Sequence, residues 1–340
     1  MRSSKMQDKS LLVEDRVSPF SDEQARALIN LRPRYEAMIE AQRGLSQLPY
    51  NLVRKRVGKY EYLYEAIDRS NNGKSLGRMS PELERRLADY RTTKSDLQHR
   101  LTRASGLVEE IGRMARPLHL PMLSSAAGEL LRELDRRRLL DETLLVIGTN
   151  CLPAYAIEAG GAIADAPDET EDFDLAWVAE EQAEEAGLWA ALKAVDPTFT
   201  INSERHCQAR NAATYEVDLL VAPSRARTLA PRERPRPIPL PSQEWLLLGR
   251  SVNQVVPCRD WTAARLVVPD PRWFALHKLW LAEQPERDPL KRRKDRAQGN
   301  AVLDAVAQAM PHYPLDAAFA RSIPQDLAPL WREWRGGAER

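Results

Sequence analysis

Three acidic side chains and one glycine turn are the groups in this sequence whose types and spacing could do chemistry. An apolar run, Leu144-Leu145-Val146-Ile147, ends in the small-residue turn Gly148-Thr149-Asn150. Downstream come Asp172-Phe173-Asp174-Leu175 and then Tyr215-Glu216-Val217-Asp218-Leu219-Leu220-Val221. Side chains alternate faces along a strand, so Asp172 and Asp174 share one face while Phe173 and Leu175 take the other. By the same alternation Asp218 stands opposite Tyr215, Val217, Leu219 and Val221. Pairing the two strands therefore sets three carboxylates above an apolar layer. Such carboxylates repel one another unless a cation sits among them, and hard oxygen donors suit Mg²⁺ or Mn²⁺. Two such ions about 4 Å apart would clamp the attacking and leaving oxygens of an in-line displacement at phosphorus. Gly148, without a Cβ, lets a phosphate approach the amides of its turn, and Thr149 offers a hydroxyl to a phosphate oxygen.

The elements that must position these groups follow from the surrounding pattern. Cys151 to Ala159 reads as a helix whose N-terminus faces the phosphate site, with Tyr155 placed to touch a nucleotide but preferred in a packing role. Glu180 to Val195 is expected as a helix over the sheet, with the acidic run Glu180 to Glu185 as a solvated face. Thr198 to Ile201 and the stretch near Cys207 read as further strands. Six prolines and several arginines from Pro223 to Pro241 mark a surface connection. Beyond it, Trp245 to Leu248 is apolar and Leu266-Val267-Val268 is strand-like. Pro269 and Pro271 bracket the start of a helix bearing Trp273, Phe274, Leu276, Leu279 and Trp280. Lys278 lies in that helix among apolar residues, an unusual place for a lysine, and is the first choice for a cation on nucleotide phosphates. His277 is read as a packing histidine. In Lys291-Arg292-Arg293-Lys294-Asp295-Arg296 five cations surround one acid. Asp295 could pair with Lys278 and fix it, or simply moderate the basic run, and Lys294 could reach phosphate or a polyanionic acceptor.

Taken together, the Gly-Thr turn, the Asp-x-Asp within an apolar run and the later single Asp resemble the polymerase-β-like nucleotidyltransferase superfamily. More narrowly, the chain is similar to a bacterial family of nucleotidyltransferase-fold proteins, distantly related to abortive-infection toxins. That narrower likeness runs from about Lys59 to Asp304. It includes Tyr62-Leu63-Tyr64, Lys74-Ser75-Leu76-Gly77, Gly148-Thr149-Asn150, Thr170-Glu171-Asp172-Phe173-Asp174, Pro271 through His277-Lys278, and Lys294-Asp295. The gap from Thr149 to Asp172 holds 22 residues, longer than in minimal members. The resemblance implies an α+β fold, a mixed sheet with flanking helices, and transfer of a nucleoside monophosphate from an NTP with release of pyrophosphate. It implies Asp172, Asp174 and Asp218 as catalytic metal ligands, and Gly148, Thr149, Asn150, Lys278, Lys294 and Asp295 around the nucleotide. The acceptor would be a hydroxyl on RNA (tRNA-like), on a protein or on a small molecule. Two other readings stand beside it: a catalytically degenerate nucleotide- or RNA-binding protein, and the toxin of a defence pair.

Length and charge frame the rest. At 340 residues, 43% of them hydrophobic, the chain can bury a sizeable core. No run approaches the ~18 apolar residues of a spanning helix. The polar start has no apolar leader, and three scattered cysteines lack Cys-x-x-Cys spacing, so a reduced cytoplasm is expected. The net charge of +1 is segregated: 1–140 carries 27 basic and 19 acidic residues, 141–230 carries 5 and 17, and 231–340 carries 18 and 13. An acidic centre between basic flanks suits a cation-binding core gripped by segments that meet polyanions. The expected order is a tail over 1–20, a mainly helical region over 21–140, a catalytic core over 141–222 and a proline-rich connection over 223–243. A strand and helices then fill 244–330, with a tail over 331–340. Within the first region Ser21 and Gln24 have capping-box spacing, and a long helix should run to about Arg43. A hairpin near 58–77 places Tyr60, Tyr62 and Tyr64 on one face, with Asn71-Asn72-Gly73 as its tight turn. Beside Arg54, Lys55, Arg56 and Lys59 these rings could stack on bases, but covering the helical bundle is the preferred role. Ser80-Pro81 then opens two charged helices, the second broken near Pro117 to Pro121, and Glu129 to Leu140 forms a basic helix.

Overall fold

Most of the longer helices begin where the sequence supplies an oxygen to cap them. The computed structural model describes residues 16–70, 72–166, 172–182 and 187–338. The chain opens with β1 (Val17–Pro19), α1 (Asp22–Gln47), β2 (Asn51–Val57), β3 (Tyr60–Ala66), β4 (Gly73–Arg78), α2 (Pro81–Ala115) and α3 (Ser125–Arg136). Ser21 and Gln24 form the reciprocal capping box at α1, while Ser80 and Ser124 cap α2 and α3. Next come β5 (Leu144–Ile147), a 3-10 turn over Gly148–Cys151, α4 (Leu152–Glu158), β6 (Gly161–Ile163) and β7 (Asp172–Trp177). They are followed by α5 (Gly187–Val195), β8 (Thr200–Ile201), β9 (Gln208–Arg210) and β10 (Glu216–Val221). Two 3-10 segments, Pro223–Thr228 and Pro241–Leu247, lead to β11 (Val252–Pro257), β12 (Ala263–Val268) and α6 (Pro271–Glu283). The chain closes with α7 (Pro289–Ala309), α8 (Ala317–Ser322) and α9 (Ala328–Ala338).

The result is a mixed α/β protein. Its central sheet has the order β5-β7-β10-β9-β8, with β7 and β10 parallel and the other pairs antiparallel. Parallel neighbours need a crossover, which α5, β8 and β9 provide between them. One face of this sheet carries Leu144, Val146, Phe173, Leu175, Val217 and Leu219, all buried in the main core with residues of α3, α5 and α6. On the other face Ile147, Ala176 and Leu246 form a small cluster at one end. No helix among the described residues is long and apolar enough to cross a membrane.

The N-terminal helices are fastened to this core by a buried carboxylate. Asp135 of α3, 2% exposed, accepts a hydrogen bond from the Tyr35 hydroxyl (2.8 Å) and another from Arg43 (2.7 Å). Arg265 of β12 stands 3.3 Å away as a second cation. The acid thus joins α1, α3 and β12 at one point.

Several expectations change. The two charged helices form one 35-residue helix, α2, and the chain turns only after it. Of the helix expected from Glu180, residues 180–182 are not helical, Glu180 being paired to Arg225, 183–186 lie outside the described residues, and Gly187–Val195 is helical. The run from Trp331 is not a tail. It lies in α9, and Trp331 is 5% exposed, packed against Phe319 and Trp334. The hairpin expected near 58–77 is present as β3-β4, and β2 extends it to a three-stranded sheet, β2-β3-β4. Val17–Pro19, inside the expected tail, pairs with β6. Residues 1–15, Asn71, Thr170 and Glu171 lie outside the described residues. Asp135→Ala should lower the unfolding free energy by about 3–5 kcal/mol, since it removes the carboxylate from Tyr35 and Arg265 and leaves Arg43 only the main-chain carbonyl of residue 135. Urea denaturation of the variant against the parent chain measures this.

Candidate active site

The register of two parallel strands builds the site. Asp174 of β7 lies opposite Asp218 of β10, and Asp172 lies opposite Glu216. Phe173, Val217 and Leu219 are fully buried on the reverse face, so the alternation expected from the sequence is realised. Asp172 is the most open of the three aspartates, its side chain 43% exposed, whereas that of Asp218 is 12% exposed. Glu216 belongs to the same face and was missed, although its parity with Asp218 marked it. Arg210 and Gln208 of β9 hold its carboxylate.

Gly148 is tied to this face more directly than a phosphate-holding turn requires. Ile147 pairs with Asp174, and Gly148 follows at φ +72°. A Cβ built on Gly148 would stand 2.2 Å from Asp174 Oδ2. The glycine therefore leaves room for the carboxylate and also adopts a left-handed backbone that other residues disfavour. Thr149 and Asn150 are buried. The Thr149 hydroxyl accepts from Gln298 Nε2 of α7 (3.2 Å), which leaves its own proton to donate. Asn150 Nδ2 donates to the Asp172 carbonyl (3.0 Å), locking the turn to β7. Gln298 could not be singled out from the sequence, because 149 positions separate it from Thr149. Tyr155 packs as expected, its hydroxyl donating to the Pro269 carbonyl (2.9 Å).

Cations approach from two sides. Lys278 is 5% exposed, and its Nζ donates to Asp295 Oδ1 (2.8 Å). Arg287 donates to the other oxygen of Asp295 (2.9 Å), so one buried acid orients two cations. The Lys278 charge acts on Asp174 and on Lys294, which itself feels Asp172. Burial pushes Lys294 below the ordinary lysine range, with Lys278 adding to the effect. Lys291 Nζ lies 3.7 Å from Asp172, and Arg205 lies 3.2 Å from Asp218. His277 is buried between Trp245 and Trp280, each ring centroid 6.2 Å away. Burial drives it down to about 3, so it is neutral, and its Nε2 has no hydrogen-bond partner among the described residues.

Residues 125–324 match a family model described as nucleotidyltransferase. The chain belongs to the nucleotidyltransferase family. No curated protein and no solved structure matches it. The matched span begins at α3 and takes in β5 to β10 together with α6 and α7. In this nucleotidyltransferase the acidic face, the Gly148 turn and the Lys278–Asp295 pair thus all fall inside the matched span.

The carboxylates of this nucleotidyltransferase carry their charge at a cost. Burial pushes Asp174 up to about 6, and the neighbouring Asp218 and Asp172 push the same way. Asp218 is also raised by burial, against the pull of Arg205. Its Oδ1 is buried with no hydrogen-bond partner among the described residues. As placed, no group of three or more His, Cys, Asp or Glu side chains among the described residues could hold a metal ion. The expected convergence is therefore a shared face, with Asp172 turned to Lys291 and Asp218 to Arg205. The donor chemistry nonetheless fits a divalent ion: hard oxygens, one of them orphaned, and a carboxylate strained by like charges.

Because the folded state holds the Asp174 proton more tightly than the unfolded chain does, this group lowers stability as pH rises from about 4 to about 6. Above that range the penalty is fully present. Asp174→Asn should therefore raise the unfolding free energy at pH 7.5 by on the order of 2 kcal/mol, and by nearly nothing at pH 4. Denaturant unfolding of both proteins at the two pH values checks the sign.

Proposed function

We propose that this protein transfers a nucleoside monophosphate from an NTP to an acceptor hydroxyl and releases pyrophosphate, on a polymerase-β-like core. The observation that carries the reading is the in-register pairing of Asp174 with Asp218 beside the Gly148 turn. Asp172, Asp174 and Asp218 would hold Mg²⁺ or Mn²⁺, whose positive charge is what displacement at phosphorus requires. The acceptor oxygen attacks the α-phosphorus, and the bond from that phosphorus to the β-bridging oxygen breaks. The acceptor proton passes to Asp218, whose buried oxygen has no partner among the described residues. The Gly148 turn faces the phosphates, with the Thr149 hydroxyl free to donate its proton. Lys278, held by Asp295, supplies fixed positive charge where negative charge builds on phosphate. Lys294 adds a second cation at the same place. A binding protein without chemistry would have no need of three aspartates on one face, and this favours transfer. The three free cysteines suit a reducing compartment. For a defence toxin the same chemistry would be turned on tRNA ends or a partner protein.

Incubation with each α-labelled NTP, Mg²⁺ and bulk RNA should label RNA or protein. Asp174→Ala and Asp218→Asn should each reduce label transfer by about 100-fold or more while the circular dichroism spectrum stays unchanged. A variant that keeps most of the transfer would overturn the assignment. Mg²⁺ should also raise the melting temperature of the parent chain and leave that of Asp174→Asn unmoved. An equal shift in both would remove Asp174 from the ion's ligands. Lys278→Met should cut transfer by about two orders of magnitude, in the range seen when one donor to a developing oxyanion is lost.

A further inference from the structure

The three-stranded sheet β2-β3-β4 lies outside the span matched by the family, and its two faces differ in kind. The inner face is apolar at its centre. Leu52 and Leu63 are 4% and 0% exposed and pack with Leu87 and Tyr90 of α2. Ion pairs lie on that side: Arg54 reaches Glu61 (3.2 Å) and Glu84 (3.7 Å), and Arg86 reaches Glu65 (3.7 Å). Leucines therefore cover the helical bundle, which corrects the role expected for the tyrosines.

Tyr60, Tyr62 and Tyr64 line the opposite face. The register sets Val57 against Tyr60, Lys55 against Tyr62 and Val53 against Tyr64, with Arg78 and Ser75 completing the row from β4. None of these strand positions is acidic. Asp68, in the turn after β3, feels Lys55. Tyr60 is 36% exposed and Val57 52% exposed, and Tyr62 and Tyr64 are half-buried. Lys55 Nζ sits 4.9 Å from the Tyr64 ring centroid. The Arg78 guanidinium sits 3.9 Å from that of Tyr60, and Lys59 Nζ 5.3 Å from the same ring. Alternate tyrosines on a strand are about 7 Å apart, a step that one unstacked nucleotide spans.

We infer that this face binds single-stranded RNA. Flat rings on a sheet take unpaired bases by stacking, and the interleaved cations take the phosphates between them. The phenol hydroxyls both donate and accept, as a 2′-hydroxyl partner requires. A duplex hides its base faces and cannot use the rings. The surface makes RNA the acceptor class for the proposed transfer, and only that last step rests on the transfer reading.

The test uses the full chain in EDTA without NTP, so binding is read apart from chemistry. Fluorescence anisotropy with a labelled mixed-sequence RNA of about 12 nucleotides should show saturable binding. Its log affinity should fall with log salt at a slope of about −2, as three phosphate-neutralising cations give on a single strand. Tyr62→Leu with Tyr64→Leu should weaken binding at least tenfold, whereas Tyr62→Phe with Tyr64→Phe should keep the stacking but lose the preference for RNA over DNA of the same sequence. Lys55→Gln with Arg78→Gln should flatten the salt slope. Melting curves that match the parent chain show that these variants fold. Absent binding, equal affinity for the duplex or for DNA of the same sequence, or an unaffected leucine variant would each overturn the inference. Failure here with label transfer intact would leave the transferase reading standing. Loss of transfer in Asp174→Ala with RNA binding unchanged would separate the two surfaces.

Discussion

Everything in the site depends on the in-register, parallel pairing of β7 with β10. A slip of one residue would turn Val217 into the acidic face and press Asp218 into the apolar core. The burial of Phe173, Leu175, Val217 and Leu219 beneath the sheet prevents that slip, because each would have to leave the core together. The crossover through α5, β8 and β9 gives the chain the length to return in the same direction. β9 then uses its place beside β10 to hold Glu216 through Arg210 and Gln208. Packing on one face thus sets the chemistry available on the other.

The site is strained electrostatically, and the surrounding elements hold that strain in place. Asp174 is crowded against the Gly148 turn where only a residue without a side chain fits. Lys278 is buried nearby but does not collapse onto Asp174, because Asp295 of α7, itself held by Arg287, keeps it. Asp295 is buried, satisfied on both oxygens and paired with two cations. Such an arrangement serves position more than stability.

The alternation of acid and apolar residues made the carboxylate face legible from the sequence, and an unusual lysine among apolar neighbours marked Lys278. The Asp295 partnership was legible too, since both residues stood out in neighbouring helices. What the sequence could not reveal are pairings made by tertiary folding: Gln298 with Thr149, Arg205 with Asp218, and Asp135 with Tyr35, Arg43 and Arg265. The tyrosines of β3 show the limit most clearly. A period of two separates Tyr60, Tyr62 and Tyr64 from Leu63, yet it does not say which set meets the bundle. Apolar leucines won that place, and the more amphipathic rings face outward. Trp331 was lost to the tail because a short amphipathic segment at the end of a chain carries little periodicity of its own.

Arg205 and Lys291 give the resting protein counterions of its own for Asp218 and Asp172. On the proposed reading, loading the site would be an exchange of ion pairs and not a simple neutralisation. An incoming complex of nucleotide and cation would take over the aspartates, and the displaced arginine and lysine would become available to its phosphates. The same two side chains that pair with the aspartates would thereby become part of the grip on the substrate.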